Sequence, residues 1–244
     1  ATGKDVKAFK PADQVFGLSA YYFGAHAEYI CLPEKASFTA KPVNMTYIEA
    51  AAVCDGLMLA NSIIRKIDFT KAPKILIYGA TGSIGSACVQ LAKYYGATVT
   101  AVCNTRSLAL IKSLGADEVI DYTKEDFTKN GKLYDVVFDA VGKSSFSKCK
   151  KLLKPHGIYF STELGYLSAN VFLALWTPLF SKKKVKFPIP TDTKADILLF
   201  KEIIEAGKYK AVIDRTYSLE QIPDATRYVE TGEKTGNVVI TVSH

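Results

Sequence analysis

The chain has 244 residues, 48% of them hydrophobic, and a formal net charge of +7. That is enough apolar material for one large domain or two modest ones. No run of eighteen or more apolar residues suggests a membrane span, and the scattered lysines suit a small polyanionic ligand better than a nucleic-acid groove.

The five cysteines, Cys31, Cys54, Cys88, Cys103 and Cys149, are widely spaced with no C-x-x-C, as expected of reduced thiols without structural zinc. No signal-peptide pattern opens the chain, so the expected location is the cytoplasm.

In chain order, Val15-Phe16 and Ala27–Cys31 read as short strands, with Pro33 and Pro42 closing the region. A helical pattern runs from Tyr47 to Ile67, with Thr46 and Glu49 spaced as a capping box. The strand Ile75-Leu76-Ile77-Tyr78 then enters Gly79-Ala80-Thr81-Gly82-Ser83-Ile84-Gly85. Ile84, Ala87, Cys88, Leu91, Ala92 and Tyr95 follow on one helical face, and Gly96 stops the helix.

The three glycines have separate tasks. Gly79 takes the chain out of the strand, Gly82 leaves room for a phosphate, and Gly85 lets helix and strand lie close. The free amides of Thr81, Ser83 and Ile84 at the helix start then suit a pyrophosphate. A second strand about twenty residues on, Thr98–Cys103, strengthens this dinucleotide reading. A glycine-rich turn without a ligand is the plainer alternative.

The segment 107–114 reads as a helix closed by Gly115. Strands follow at 118–120, at 134–139 and, after a helix over 144–153 halted by Pro155 and Gly157, at 158–161. Strands and helices alternate, so the predicted fold is α/β, with a doubly wound parallel Rossmann sheet. An apolar stretch at 171–180 precedes Lys182-Lys183-Lys184, a run read as a solvated loop, and an edge strand over 185–187. The tail offers a helix over 195–206, strands at 211–213 and 238–242, and a helix between them capped by Ser218. These tail strands are expected to pack on residues 1–50 as a second unit.

Several phrases in fixed order resemble the zinc-independent, quinone-oxidoreductase-like branch of the medium-chain dehydrogenase/reductase superfamily. They are Ala27-Glu28-Tyr29, Glu49–Ala52, Gly79–Gly85, Gln90–Lys93, Leu114–Asp117, Val119–Tyr122, Phe138–Gly142 and Gly236–Val239. The resemblance implies an NADP-binding Rossmann domain over 57–190. Residues 1–56 and 191–244 would then form a partial GroES-like, β-rich catalytic domain, entered partway. Ala12-Asp13-Gln14 departs from the Gly-Asp-Arg often found in that family.

The resemblance also implies NADPH-dependent hydride transfer to a quinone, enone or similar carbonyl acceptor without metal. The alternatives are a catalytically silent nucleotide-binding or structural homologue and a fragment of a zinc-dependent alcohol dehydrogenase. A short-chain reductase is disfavoured, because the glycines lie more than seventy residues into the chain and no Tyr-x-x-x-Lys occurs.

At the end of the second strand stands Cys103-Asn104-Thr105-Arg106 rather than an acid, so Asn104, Thr105 and Arg106 are expected at the NADP 2′-phosphate. Arg106 opening a helix into solvent is the other reading. Tyr122 and Asn237 match family positions near the cofactor. Ala140, Val141 and Gly142, with Ser161 and Thr162, lie at strand ends suited to the nicotinamide. Cys54, His26 and His156 are weak metal candidates, and no metal site or single catalytic residue is assigned. A small-molecule substrate and a homodimer through the 172–176 stretch and edge strand complete the expectation.

Overall fold

Ile75, Leu76 and Ile77 are wholly buried, because the strand that carries them is central in its sheet. A computed structural model describes residues 1–20, 23–187 and 189–242 of the chain. They form two units, one of residues 1–58 with 191–244 and one of residues 59–190.

The second unit is built on six parallel strands. In chain order these are β3 (Lys74–Tyr78), β4 (Thr98–Cys103), β5 (Glu118–Asp121), β6 (Tyr134–Asp139), β7 (Leu153–Ser161) and β8 (Lys184–Lys186). Their order across the sheet is β5-β4-β3-β6-β7-β8. The winding reverses between β3 and β6, the switch point at which doubly wound sheets open a crevice. One face packs Leu76, Val102, Val137 and Tyr159 against Phe127, Phe146 and Leu152. Helix α2 (Ser83–Tyr94) buries Ala87, Cys88 and Leu91. Burying each large aliphatic side chain contributes about 1.5–3 kcal/mol. Helix α3 (Leu108–Ser113) follows one turn after β4, and Gly115 ends it at φ 103°.

One difference from the sequence reading lies between β6 and β7. The helix expected over 144–153 is a single α-helical turn, α4 (Phe146–Cys149), followed by a 3₁₀ turn. Strand β7 starts at Leu153 instead of Ile158. Leu153, 1% exposed, pairs with Tyr134, while Val136 pairs with Ile158, so the intervening residues bulge. Pro155 cannot donate to the ladder, and His156 sits at φ 67°. A burial site for Leu153 thus outweighs the break that Pro155 and Gly157 signal.

In the first unit, β1 (Val15–Gly17) pairs antiparallel with β2 (Phe38–Ala40). A Cβ on Gly17 would lie 2.3 Å from the Ser37 carbonyl oxygen, so glycine permits this pairing. The strand expected over 27–31 is absent: these residues are bends and exposed coil, without a partner strand among the described residues to satisfy their backbone.

Helix α1 spans Tyr47–Ile64. Its capping box is present, since Glu49 Oε2 accepts from the Thr46 amide at 2.8 Å and Thr46 Oγ1 accepts from the Glu49 amide at 3.2 Å. The helix is long and apolar enough to cross a membrane by composition, but 67% of it is buried in the protein, as in a core helix.

The tail holds α6 (Lys194–Glu205), then β9 (Ile213–Ser218), α7 (Ile222–Glu230) and β10 (Asn237–Thr241). β9 and β10 pair in parallel around α7. β9 lies later than the expected 211–213, because its alternating polar residues are held by the β10 ladder rather than by an apolar run. Asn44 Nδ2 donates to the Ile204 carbonyl at 2.8 Å, fastening the tail helix to the N-terminal segment.

Candidate functional site

The bend after β3 is shaped by two close approaches that side chains would spoil. Gly79 has φ 80°, and its amide and that of Ala80 each donate to the Val102 carbonyl at 3.2 Å. A Cβ on Gly79 would meet Val141 Cγ1 at 2.4 Å, and one on Gly85 would meet the Gly79 carbonyl oxygen at 2.1 Å. Around Gly82 the space is open, and a Cβ on it would find its nearest neighbour 3.8 Å away.

Helix α2 starts beside that opening without a side-chain cap. Gly82 as N-cap offers only its carbonyl, which accepts from the Ser86 amide at 2.9 Å. The amides of Thr81, Ser83 and Ile84 have no acceptor among the described residues. They point to an anion site reinforced by the helix dipole. Ser83 Oγ is buried there without a hydrogen-bond partner among the described residues.

At the end of β4, Asn104 Oδ1 is likewise buried and has no partner among the described residues. This free atom is an acceptor, suited to a ribose hydroxyl or an adenine amine rather than to the phosphate oxygen anticipated for Asn104. Arg106 is exposed and has no ion pair or hydrogen bond among the described residues. Thr105 is engaged inward, its hydroxyl donating to Asp121 Oδ2 at 2.5 Å, so it does not offer that proton to a phosphate. Asp121, 7% exposed, was not singled out from the sequence. The Cys103–Asp121 register pairing of β4 and β5 places it beside the site. Hydrogen bonds from Thr105 and Thr123 hold its carboxyl below the usual carboxylate range. Tyr122 is 48% exposed and sets its ring edge-on to Tyr78.

The ends of β6 and β7 are joined by Asp139, which is fully buried. Its carboxylate accepts from the Val141 amide at 3.2 Å, the Ser144 amide at 2.8 Å and the Tyr159 hydroxyl at 3.2 Å. Burial first, and the Asp139 carboxylate second, push the Tyr159 phenol far above its ordinary value. The Ala140 amide donates to the Tyr78 carbonyl at 2.9 Å, and the Thr162 amide to the Asp139 carbonyl at 3.2 Å. Gly142 sits at φ 65°, where a Cβ would collide with Glu163 Cγ at 2.1 Å. Ser161 Oγ accepts from the Glu163 amide at 3.2 Å. Thr162 Oγ1 is buried with no partner among the described residues.

Ser83, Asn104 and Thr162 therefore each present an unmet polar atom just beyond the carboxyl ends of β3, β4 and β7. A buried polar group without a partner costs about 1–3 kcal/mol. A dinucleotide lying along that edge would supply partners, and the open space at Gly82 admits its diphosphate. The residues present fit a nicotinamide dinucleotide.

Asn237 lies in the other unit at the start of β10, where its side-chain amide donates to the Val212 carbonyl at 3.0 Å. Among the described residues, no three His, Cys, Asp or Glu side chains cluster as metal ligands. Cys54 is 2% exposed, and burial pushes its thiol up to about 12. His26 and His156 are exposed. This donor set does not fit zinc, which needs three or four converging ligands.

Residues 114–240 match the zinc-binding dehydrogenase family. The chain is 35% identical over 249 residues to the 2-methylene-furan-3-one reductase of Solanum lycopersicum, covering 98% of this chain and 60% of that protein. It is 33% identical over 250 residues to the chloroplastic NADPH-dependent alkenal/one oxidoreductase of Arabidopsis thaliana, with 98% and 60% covered. The chain thus spans about 60% of the length of these two relatives. The quinone oxidoreductase from Coxiella burnetii shares the fold, with a TM-score of 0.82 at 21% identity over 99% of this chain and 75% of that one.

Proposed function

Because this chain belongs to the medium-chain dehydrogenase/reductase superfamily, in its quinone-oxidoreductase-like branch, we propose that it moves hydride from NADPH to a quinone or enone. The observation that carries the reading is the row of unmet polar atoms on Ser83, Asn104 and Thr162 beside the open glycine bend.

Bound nicotinamide supplies the hydride itself. The amides of Ser83 and Ile84 hold the diphosphate, and Gly82 gives it room. Arg106 meets the 2′-phosphate as a charged fork, and Asn104 Oδ1 accepts from the adenosine end. Ala140, Val141 and Gly142, fixed by Asp139, wall the nicotinamide end together with Ser161 and Thr162. Orientation of donor and acceptor is the protein's main contribution, and solvent supplies the proton that completes reduction.

A second copy of the chain is the proposed partner. Helix α5 (Ala169–Phe180) exposes Phe172, Leu175, Trp176, Leu179 and Phe180. Beside it, β8 is an edge strand with no neighbour on its outer side among the described residues.

The direct test is NADPH consumption against a panel of quinones and alkenals. Turnover with NADPH exceeding that with NADH supports the reading. Binding of NADPH with no consumption across the panel overturns the catalytic part and leaves a nucleotide-binding protein.

A further inference from the structure

Arg106 sits on a one-turn helix, Thr105–Ser107, at the head of α3. A long side chain on a free turn loses affinity to ordering when it grips a ligand, so what holds that turn matters. The hold comes from β5. Thr105 Oγ1 donates to Asp121 Oδ2 at 2.5 Å and lies 3.1 Å from Thr123 Oγ1. Asp121 Oδ1 accepts from the Thr123 amide at 3.0 Å and the Thr123 hydroxyl at 2.7 Å. The Tyr122 amide donates to the Cys103 carbonyl at 3.0 Å, which binds the same two loops at the backbone.

The sequence places no acid directly after β4, yet the fold sets one beside that position. A carboxylate aimed at the ribose would accept from a 2′-hydroxyl and repel a 2′-phosphate. Here both oxygens of Asp121 are taken by three donors of the protein, and Lys124 Nζ approaches to 3.9 Å.

We propose that Asp121, acting through the Thr105 hydroxyl, is a positioning residue for 2′-phosphate selection. It fixes the turn that presents Arg106 and keeps its own carboxylate turned away from the ribose. This rests on the NADPH reading above and assigns part of that preference to an inner pair that never touches the cofactor.

The test is calorimetric titration with two probes, adenosine 2′,5′-bisphosphate and adenosine 5′-monophosphate, which differ in the 2′-phosphate and require no turnover. The variants are Arg106→Ala, Thr105→Val, Thr105→Ser and Asp121→Asn. The wild type should prefer the bisphosphate. Thr105→Val and Asp121→Asn should each weaken bisphosphate binding about fivefold, the size of one lost hydrogen bond, with monophosphate binding within about twofold. Thr105→Ser, which keeps the hydroxyl, should retain the wild-type preference.

If Arg106→Ala abolishes the preference while Thr105→Val and Asp121→Asn keep it, the role given to Asp121 is wrong and the NADPH reading stands. If Arg106→Ala also keeps it, Arg106 does not read the 2′-phosphate and the inference falls, whereas a wild type that binds the two probes equally overturns the NADPH reading itself. Should Asp121→Asn not fold, the Thr105→Val and Thr105→Ser pair decides alone.

Discussion

Val141 occupies the space that a side chain on Gly79 would need, its Cγ1 lying 2.4 Å from the position of that Cβ. The loop after β6 is thereby packed onto the bend after β3, and the two sides of the switch point are held together. Gly79→Ala therefore carries two penalties, a left-handed backbone and an overfilled contact. It should cost about 2–4 kcal/mol, read as a lower urea midpoint. Adding Val141→Ala should recover part of this loss, because only the steric share is relieved.

Tyr159 donates to a carboxylate that is wholly buried. Tyr159→Phe removes one of the three donors to Asp139 without emptying the core. Destabilisation of about 1–3 kcal/mol is expected from equilibrium unfolding. A variant as stable as the wild type would show that Asp139 does not depend on this bond.

The Thr105 hydroxyl, followed by the Thr123 hydroxyl, lowers the Asp121 pKa in the folded state. A lowered folded value means that the stabilisation is present above the unfolded carboxyl pKa of about 3.9. It is lost as pH falls through the folded value. Carboxyl titration by NMR should place Asp121 below an ordinary aspartate, and Thr105→Val should move it upward. Titration at the ordinary aspartate value in the wild type would refute the hydrogen-bonded arrangement.

Much of the Rossmann unit was legible because its strands are short apolar runs bounded by glycines. Ile75–Ile77 before Gly79 and Val136–Phe138 before Gly142 leave little alternative to buried parallel strands. The first unit was harder. Phe38–Ala40 forms a strand through pairing with Val15–Gly17, a nonlocal cause that three residues cannot announce. Ala27–Cys31 has the residue types of a strand but no partner strand among the described residues. At the site, the glycines and Arg106 could be picked out by local chemistry. Asp121 could not, since its relation to Thr105 depends on the β4–β5 register. The signal available was the Asp-x-Thr spacing of Asp121 and Thr123, a common side-chain turn.

Thiolate is the reactive form of cysteine, and the five thiols differ sharply. Cys31 is exposed and the other four are buried. Burial lifts Cys54 and Cys88 to about 12. Iodoacetamide at mildly alkaline pH should modify Cys31 in the native protein and reach Cys54 and Cys88 only after unfolding, as read by peptide mass spectrometry.

The α5 face gives an assembly prediction. Leu175 and Leu179 are 73% and 77% exposed, so replacing both with Glu should spare the fold. Light scattering should then show a wild-type dimer and a variant monomer. A monomeric wild type would remove the proposed second copy.

The central claim is that the bend after β3 holds the diphosphate of a nicotinamide dinucleotide. Gly82 tests it most directly, because its φ of −70° and ψ of 172° are open to any residue and a Cβ there has no close neighbour. Gly82→Val should fold with the wild-type melting temperature while placing methyl groups where the phosphates belong. Calorimetric titration should show one NADPH site per chain in the wild type and no measurable binding in the variant. Equal NADPH affinity in the two proteins would contradict the account.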